Sequence, residues 1–462
     1  MVAILDDTDL SEYHMTDAHA LLSPPGVASG ARGMTQPHTT HGVTTLRPAA
    51  LGGIVGRRVL TRDGVGAARM CFDGETIADV VSDAGAGAAT VMSRYDNIDF
   101  LDAGDLLVLP GIVDIHGDAF ERAVMPRPGV HFDYGHALWD VDRQLLVNGI
   151  TTAFHGVTVS WEGGLRGASY AERMFDALHR HANVLGARHQ VHLRFETHNL
   201  DDVDRACAWI DEGRIGFVAL NDHLPSMYKR LGNDRKLLQY ADRAQCDLDA
   251  FSQRIIHAHA RADDVPAAMA RLVKTALSAG LRVASHDDPD ETVRRDYHAL
   301  GCDVAEFPLN VPTAALAHSL GNAVIFGAPN VVRGGSHVNA PNALEMVRAG
   351  YCNVLASDYY YPAPLHAVFM LVAQGVRTLA EAWPLVSANP ALAANLTDRG
   401  MLATGQRADV VVVDDSLPGL PRVVATVVNG RIVFADRHWA LRSGSASAVF
   451  SDGALTNARE EE

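Results

Sequence analysis

Asp114-Ile115-His116-Gly117-Asp118 follows directly on the apolar run Leu107–Val113, and the reading of the fold starts there. Side chains alternate along an extended chain, so a strand ending in this way turns His116 and Asp118 to one face. One imidazole and one carboxylate can then reach the same ion. Taken alone, the pair reads more readily as turn residues and a helix cap. What distinguishes the two readings is recurrence of the pattern.

The pattern does recur. Further apolar runs stand at Thr151–Phe154, Gln190–Phe195, Ile215–Leu220, Leu281–Ser285, Val304–Phe307, Ala323–Phe326 and Val354–Ala356, separated by Ala/Leu/Arg-rich helical stretches. With Leu107–Val113 they make eight strands in strand-helix alternation, which predicts an α/β fold of the TIM-type (β/α)8 class over residues 107–396. In such a barrel the catalytic groups stand at the C-terminal strand ends.

The flanks have a different texture. Short apolar segments broken by Asp63-Gly64 and Asp73-Gly74 precede the barrel, and Ala408–Asp414 and the Asn429-Gly430 hairpin follow it. These predict a small β-sandwich domain built from both chain ends, residues 44–106 and 397–450. Residues 1–43 and 451–462 read as a flexible extension and tail.

Of the 462 residues, 48% are hydrophobic, enough for one large core. The net charge of -16 carries no basic stripe, which argues against nucleic-acid binding. A phosphorylated small molecule stays compatible, since a few arginines and a metal neutralise it locally. Five scattered cysteines support neither disulfides nor thiolate metal sites. With no membrane-length apolar run and no secretory leader, a soluble cytoplasmic protein is expected, with a homodimer as the default assembly.

Polar groups close several of the predicted strands. His192, Arg194 and Glu196 share a face in Gln190–Glu196, where Glu196 either bridges two cations or pairs with Arg194. Asn221-Asp222-His223 and Ser285-His286-Asp287-Asp288 end successive runs, and Asp287 and Asp288 also read as caps of a helix beginning near Pro289. Ser357-Asp358 ends the last run, where Asp358 can hold metal and take a proton from water. Together His116, Asp118, Glu196, His223, His286 and Asp358 suit two divalent metal ions sharing one bridge, zinc first, with manganese or iron accepted by the same ligand types.

This series, with Pro126–Val130, Asn148–Thr152, Ala284–Asp288, Gly327–His337 and Ser357–Tyr359, resembles the amidohydrolase superfamily. Within it the chain is similar to the phosphonate-metabolism diphosphatases called PhnM. The resemblance implies Glu196 on the fourth strand, and cleavage of ribose 1-methylphosphonate 5-triphosphate to the 5-phosphate and pyrophosphate. Arg127, Arg194 and Arg333 are the candidate phosphate contacts, and the loop through Gly334, Gly335, Ser336 and His337 offers backbone N–H groups to the same anion. Three positions depart from the family pattern: Gly117, where threonine is usual, Val338-Asn339-Ala340, and His155 in place of aspartate. All three are expected on the substrate side of the barrel. Hydrolysis of a cyclic amide or amidine C–N bond, and a metal-binding barrel without turnover, are the competing readings.

Overall fold

The computed structural model describes residues 51–82, 100–127, 129–335 and 341–436. The predicted extension and tail lie outside them.

Strands from both ends of the chain form one sheet. β1 (Gly53–Thr61), β2 (Gly64–Asp73), β3 (Thr76–Ser82), β4 (Phe100–Asp102) and β5 (Leu107–Pro110) precede the barrel, while β14 (Val410–Asp414), β15 (Arg422–Val428) and β16 (Arg431–Ala435) follow it. They lie in the order β16-β15-β14-β5-β1-β2-β3, with β4 on β1. Asn429 and Gly430 join β15 to β16 with φ of 53° and 69°, the two positive values that a tight primed turn requires. The valines of β14 alternate between two cores: Val410 and Val412 pack with Ile54 and Met70, whereas Val411 and Val413 pack into the helical layer of the barrel. Burial on both faces explains why this strand is an unbroken apolar run.

The barrel strands are β6 (Ile112–Gly117), β7 (Ile150–Val159), β8 (Arg188–Glu196), β9 (Phe217–Asn221), β10 (Val283–His286), β11 (Val304–Glu306), β12 (Ala323–Gly327) and β13 (Val354–Ala356). All pair in parallel, in chain order. Phe154, Phe217, Ile325 and Val354 fill the interior. The run read as one strand, Leu107–Val113, is two: β5 pairs with β1 and β14 in the outer sheet, and the barrel begins after Gly111. Counted from β6, Glu196 closes the third strand, not the fourth.

The barrel closes between its first and last strands. The Asp118 N–H donates to the Asp358 carbonyl at 2.7 Å, and the Asp358 N–H to the His116 carbonyl at 2.9 Å. Behind this seam the buried Asp114 carboxylate accepts from the Ser357 N–H at 2.9 Å and the Ser357 hydroxyl at 2.5 Å. No described helix is long and apolar enough to cross a membrane.

β6 also carries an irregularity that matters for the site. Asp114 pairs with Ala153 and Gly117 with His155, so three steps on β6 face two on β7. This one-residue bulge breaks the alternation that starts with Val113 and Ile115 inside the barrel. His116 therefore turns inward as well, and Gly117 turns out.

Ser357→Ala leaves the buried Asp114 carboxylate with a single hydrogen bond and is expected to cost about 1–3 kcal/mol. Urea denaturation measures it, and an unchanged midpoint would show that the seam does not depend on this contact.

Candidate active site

At the C-terminal mouth the carboxylate of Glu306, on β11, is fully buried and faces three imidazoles. His286 Nδ1 is hydrogen-bonded to Oε2 at 3.0 Å, His116 Nδ1 lies 3.1 Å from Oε1, and His192 Nε2 lies 3.7 Å from Oε1. The His116 contact has ion-pair distance but poor alignment, so neither of its atoms counts a hydrogen-bond partner. The His116 and His286 rings stack with centroids 5.3 Å apart, and the Phe307 ring packs edge-on against both. Both rings present Nδ1 to Glu306, which turns each Nε2 toward the mouth. Among the described residues, His116, His286 and Glu306 form the group able to hold a metal ion.

Glu306 is the functional candidate missing from the sequence reading. It sits inside the apolar run Val304–Phe307 instead of following it, so the search for polar clusters after each run passed over it. Its only signal is a carboxylate placed in the penultimate position of an otherwise apolar strand.

A second group adjoins the first. The Glu196 carboxylate takes His223 Nδ1 at 2.5 Å and the His223 backbone N–H at 3.2 Å. His223 Nε2 and His286 Nε2 each lie 3.7 Å from Asp287 Oδ2. Asp287 thus faces the site and not a helix end. Asp288 is buried against Ser285 and Arg294, and the cap of the next helix, Glu291–Leu300, is Asp290, which accepts from the N–H groups of Thr292 and Val293. Asp287 and Asp358 both hold positive φ, 58° and 54°, a strained choice for non-glycine residues at the mouth of a barrel.

Arg194 links Asp118 to the histidines. Its Nη1 donates to Asp118 Oδ2 at 2.7 Å and its Nη2 lies 3.1 Å from His286 Nε2. The arginine pairs with Asp118 instead of Glu196. Asp118 Oδ1 is 3.9 Å from His116 Nε2, and a Cβ on Gly156 would fall 2.3 Å from the same oxygen. Glycine is what lets the β7 backbone approach this carboxylate.

Burial and Glu306 act on the imidazoles in opposition. For His116, burial favours the neutral ring, but Glu306 outweighs it and raises the pKa to about 8. For His192 burial wins and lowers it to about 3. For His223, burial is overcome by Asp287 and Glu196, and the pKa rises to about 9. Against its own burial, Glu306 is held well below the usual carboxylate range by His116 and His192.

Several buried atoms of this set have no hydrogen-bond partner: both ring nitrogens of His192, His116 Nδ1, Asp118 Oδ1 and Glu306 Oε1. Interiors seldom leave such groups unsatisfied, and imidazole and carboxylate donors are those that divalent cations accept. The residues fit a metal centre. Asp358 stands across the seam from His116 and Asp118, tied to them by backbone hydrogen bonds.

The predicted substrate contacts are dispersed. Arg127 is exposed in a tight turn with Val130. Arg333 is exposed at the end of helix Ala328–Arg333, its Nη1 3.4 Å from the Tyr359 hydroxyl. Ser336, His337 and Val338-Asn339-Ala340 lie outside the described residues. The other two departures face away from the site, contrary to expectation. A Cβ on Gly117 would sit 2.8 Å from Asp114 Oδ2 and 3.2 Å from Ser357 Oγ, in the closure seam. His155 is buried behind the strand, bonded to His189 at 2.8 Å, which in turn reaches Asp142 at 3.0 Å.

Barrel, outer sheet and donor set define a class, and sequence comparison agrees with it. Residues 151–434 match the profile described as "Amidohydrolase family", and the chain belongs to that family. Within it, the chain is similar to the alpha-D-ribose 1-methylphosphonate 5-triphosphate diphosphatase of Escherichia coli (strain K12), with 33% identity over 319 residues, 66% of this chain and 82% of that protein. Two solved structures share the fold. N-acetylglucosamine-6-phosphate deacetylase from Pasteurella multocida has a TM-score of 0.54 at 11% identity, over 83% of this chain and 99% of its own. 5-Methylcytosine deaminase from Klebsiella pneumoniae has a TM-score of 0.53 at 14% identity, over 83% and 98%.

Gly156→Ala is expected to displace Asp118 or Arg194 and to abolish hydrolytic activity while the far-ultraviolet circular dichroism stays that of the parent. Full activity in this variant would mean that Asp118 is not held where the site needs it.

Proposed function

We propose that this protein is a metal-dependent phosphoanhydride hydrolase that splits a ribose 5-triphosphate-type phosphonate into the 5-phosphate and pyrophosphate. The observation that carries the reading is the buried donor set around Glu306, with unpartnered atoms, at the C-terminal mouth of the barrel. The likeness to a diphosphatase supports the choice of bond.

His116, Asp118, Glu196, His223, His286 and Asp358 would hold two divalent cations, zinc first and manganese or iron as alternatives. When bound, such ions supply Lewis acidity at phosphoryl oxygens and lower the pKa of water toward about 7. Glu306 takes the Nδ1 side of His116 and His286 and so orients both rings with Nε2 toward the mouth, where His286 Nε2 meets the Arg194 guanidinium. Asp358 accepts the proton of the attacking water on its carboxylate. Its backbone is tied to β6 by two hydrogen bonds, so the base stands at a fixed distance from His116 and Asp118. Arg194 is engaged by Asp118 and His286 and aligns them, which leaves Arg127 and Arg333 to meet the phosphoryl charge.

Three measurements test this reading. Metal-loaded protein is offered ribose and nucleoside triphosphates beside cyclic amides, and pyrophosphate release and ring opening are followed together. Pyrophosphate is expected; ring opening alone would favour the C–N reading, and silence in both channels a barrel without turnover. Replacing Arg127 and Arg333 by alanine should lower triphosphate turnover by about 10²-fold and spare any neutral amide, whereas equal losses would count against phosphate recognition. Glu306→Gln should weaken metal affinity about 10–100-fold, read by metal analysis after dialysis against graded chelator; parent-like retention would remove Glu306 from its orienting role.

A further inference from the structure

Asn221 closes β9 at the mouth, and the alternation of that strand gives its direction. Phe217 and Ala219 pack inside the barrel, whereas Val218 and Leu220 pack into the helical layer. Asn221 is the next inward position. It pairs in register with Glu196 on β8 and with His286 on β10, so two of the proposed metal ligands flank it on strands about 4.8 Å away. Its backbone carbonyl accepts from the Thr197 N–H at 2.8 Å, which fixes the residue in the sheet.

The side chain is not so provided for. Asn221 is 0% exposed, and neither its amide oxygen nor its amide nitrogen has a hydrogen-bond partner. Burying a carboxamide in this way carries a cost that leucine, of nearly the same shape, does not. The flanking groups are turned elsewhere. The Glu196 carboxylate takes His223 Nδ1 and the His223 N–H, and the His286 ring lies between Glu306 and Arg194. When Glu196 and His223 turn to a common cation, the proton between them leaves. The Glu196 carboxylate then keeps lone pairs for a donor beside it.

We propose that Asn221 is a positioning residue of the metal centre, whose amide N–H2 group donates to the Glu196 carboxylate once Glu196 and His223 share a cation, and so holds Glu196 in its ligating orientation. Ligating carboxylates are themselves hydrogen-bonded, and such partners govern metal affinity. A carboxamide suits the place because it donates without adding charge to a mouth that already carries Glu196, Asp287 and Glu306. The proposal rests on the metal-centre part of the reading above and not on which bond is cleaved.

Calorimetric titration of the chelator-stripped full chain with zinc and with manganese tests it, beside thermal denaturation of the same stripped samples. Asn221→Leu removes the donor and keeps the volume; Asn221→Ala removes both. Each is expected to lose about 10–100-fold in metal affinity, and Asn221→Leu to melt no lower than the parent, because the amide it removes has no partner. Parent-like affinity in both variants overturns the proposal, and so does a loss confined to one, which would follow volume and not the donor. A folded Asn221→Leu that melts below the parent overturns it too, since the amide would then be a structural contact. Where Asn221→Leu does not fold, the affinity of Asn221→Ala decides. No substrate is present, so a protein that releases no pyrophosphate leaves this proposal standing, and parent-like affinity in the variants leaves the hydrolytic reading standing. A parent that binds neither ion sinks both.

Discussion

The closure of the barrel between β6 and the segment after β13 is the constraint on which the site depends. His116 and Asp118 stand at the end of the first strand and Asp358 just beyond the last, and they are held together by the two backbone hydrogen bonds that cross the seam, with the Asp114–Ser357 contact behind it. The same bonds that finish the sheet set the distance from base to ligands. A structural requirement and a chemical one are met by the same atoms. This also explains Gly117: the seam has no room for a side chain there, so the departure from threonine answers to packing and not to substrate choice.

Within that frame one buried carboxylate organises the charge. Glu306 raises His116 and fails to raise His192, although it faces both. The difference lies in distance and in what else each ring meets. Asp118 favours and Arg194 opposes the charged form of both rings, but His116 lies 3.1 Å from the Glu306 carboxylate against 3.7 Å for His192, and His116 itself opposes a charge on His192. At its best-matched position the carboxylate therefore favours protonated imidazole, and a divalent cation on the Nε2 side would compete with that proton. Metal loading is expected to release protons for this reason.

Much of this was legible in the chain. Strand ends carrying His116, His223, His286 and Asp358 announced themselves because polar groups close apolar runs, and the Asn429-Gly430 turn because only a few residue pairs adopt its geometry. Other features depend on pairings that no local pattern encodes. The bulge opposite β7 reverses the facing of every residue after Ile115, and strict alternation counted from Val113 would have turned His116 out of the barrel. Leu107–Val113 reads as one run because both of its halves are buried, yet the halves belong to different sheets. Glu306 is hidden in an apolar run for the related reason that strands of a closed barrel are apolar on both faces until their last turn. His155 shows the converse: a polar residue that closes the apolar run Thr151–Phe154 in the sequence lies in the middle of β7 and faces outward to His189 and Asp142 instead of into the mouth.

The passage from β5 into β6 across Gly111 has a further consequence for how the molecule is made. β5 lies in the outer sheet between β1 and β14, and β14 comes after all eight barrel strands. On the ribosome, the strand that carries His116 and Asp118 is extruded early, but its anchor is completed only when the last part of the chain arrives. Until then one flank of β5 is an open edge, a template for pairing with another chain. The catalytic strand is thus held in waiting by the order of synthesis, and an interrupted chain would lose the anchoring of its site before it lost any ligand.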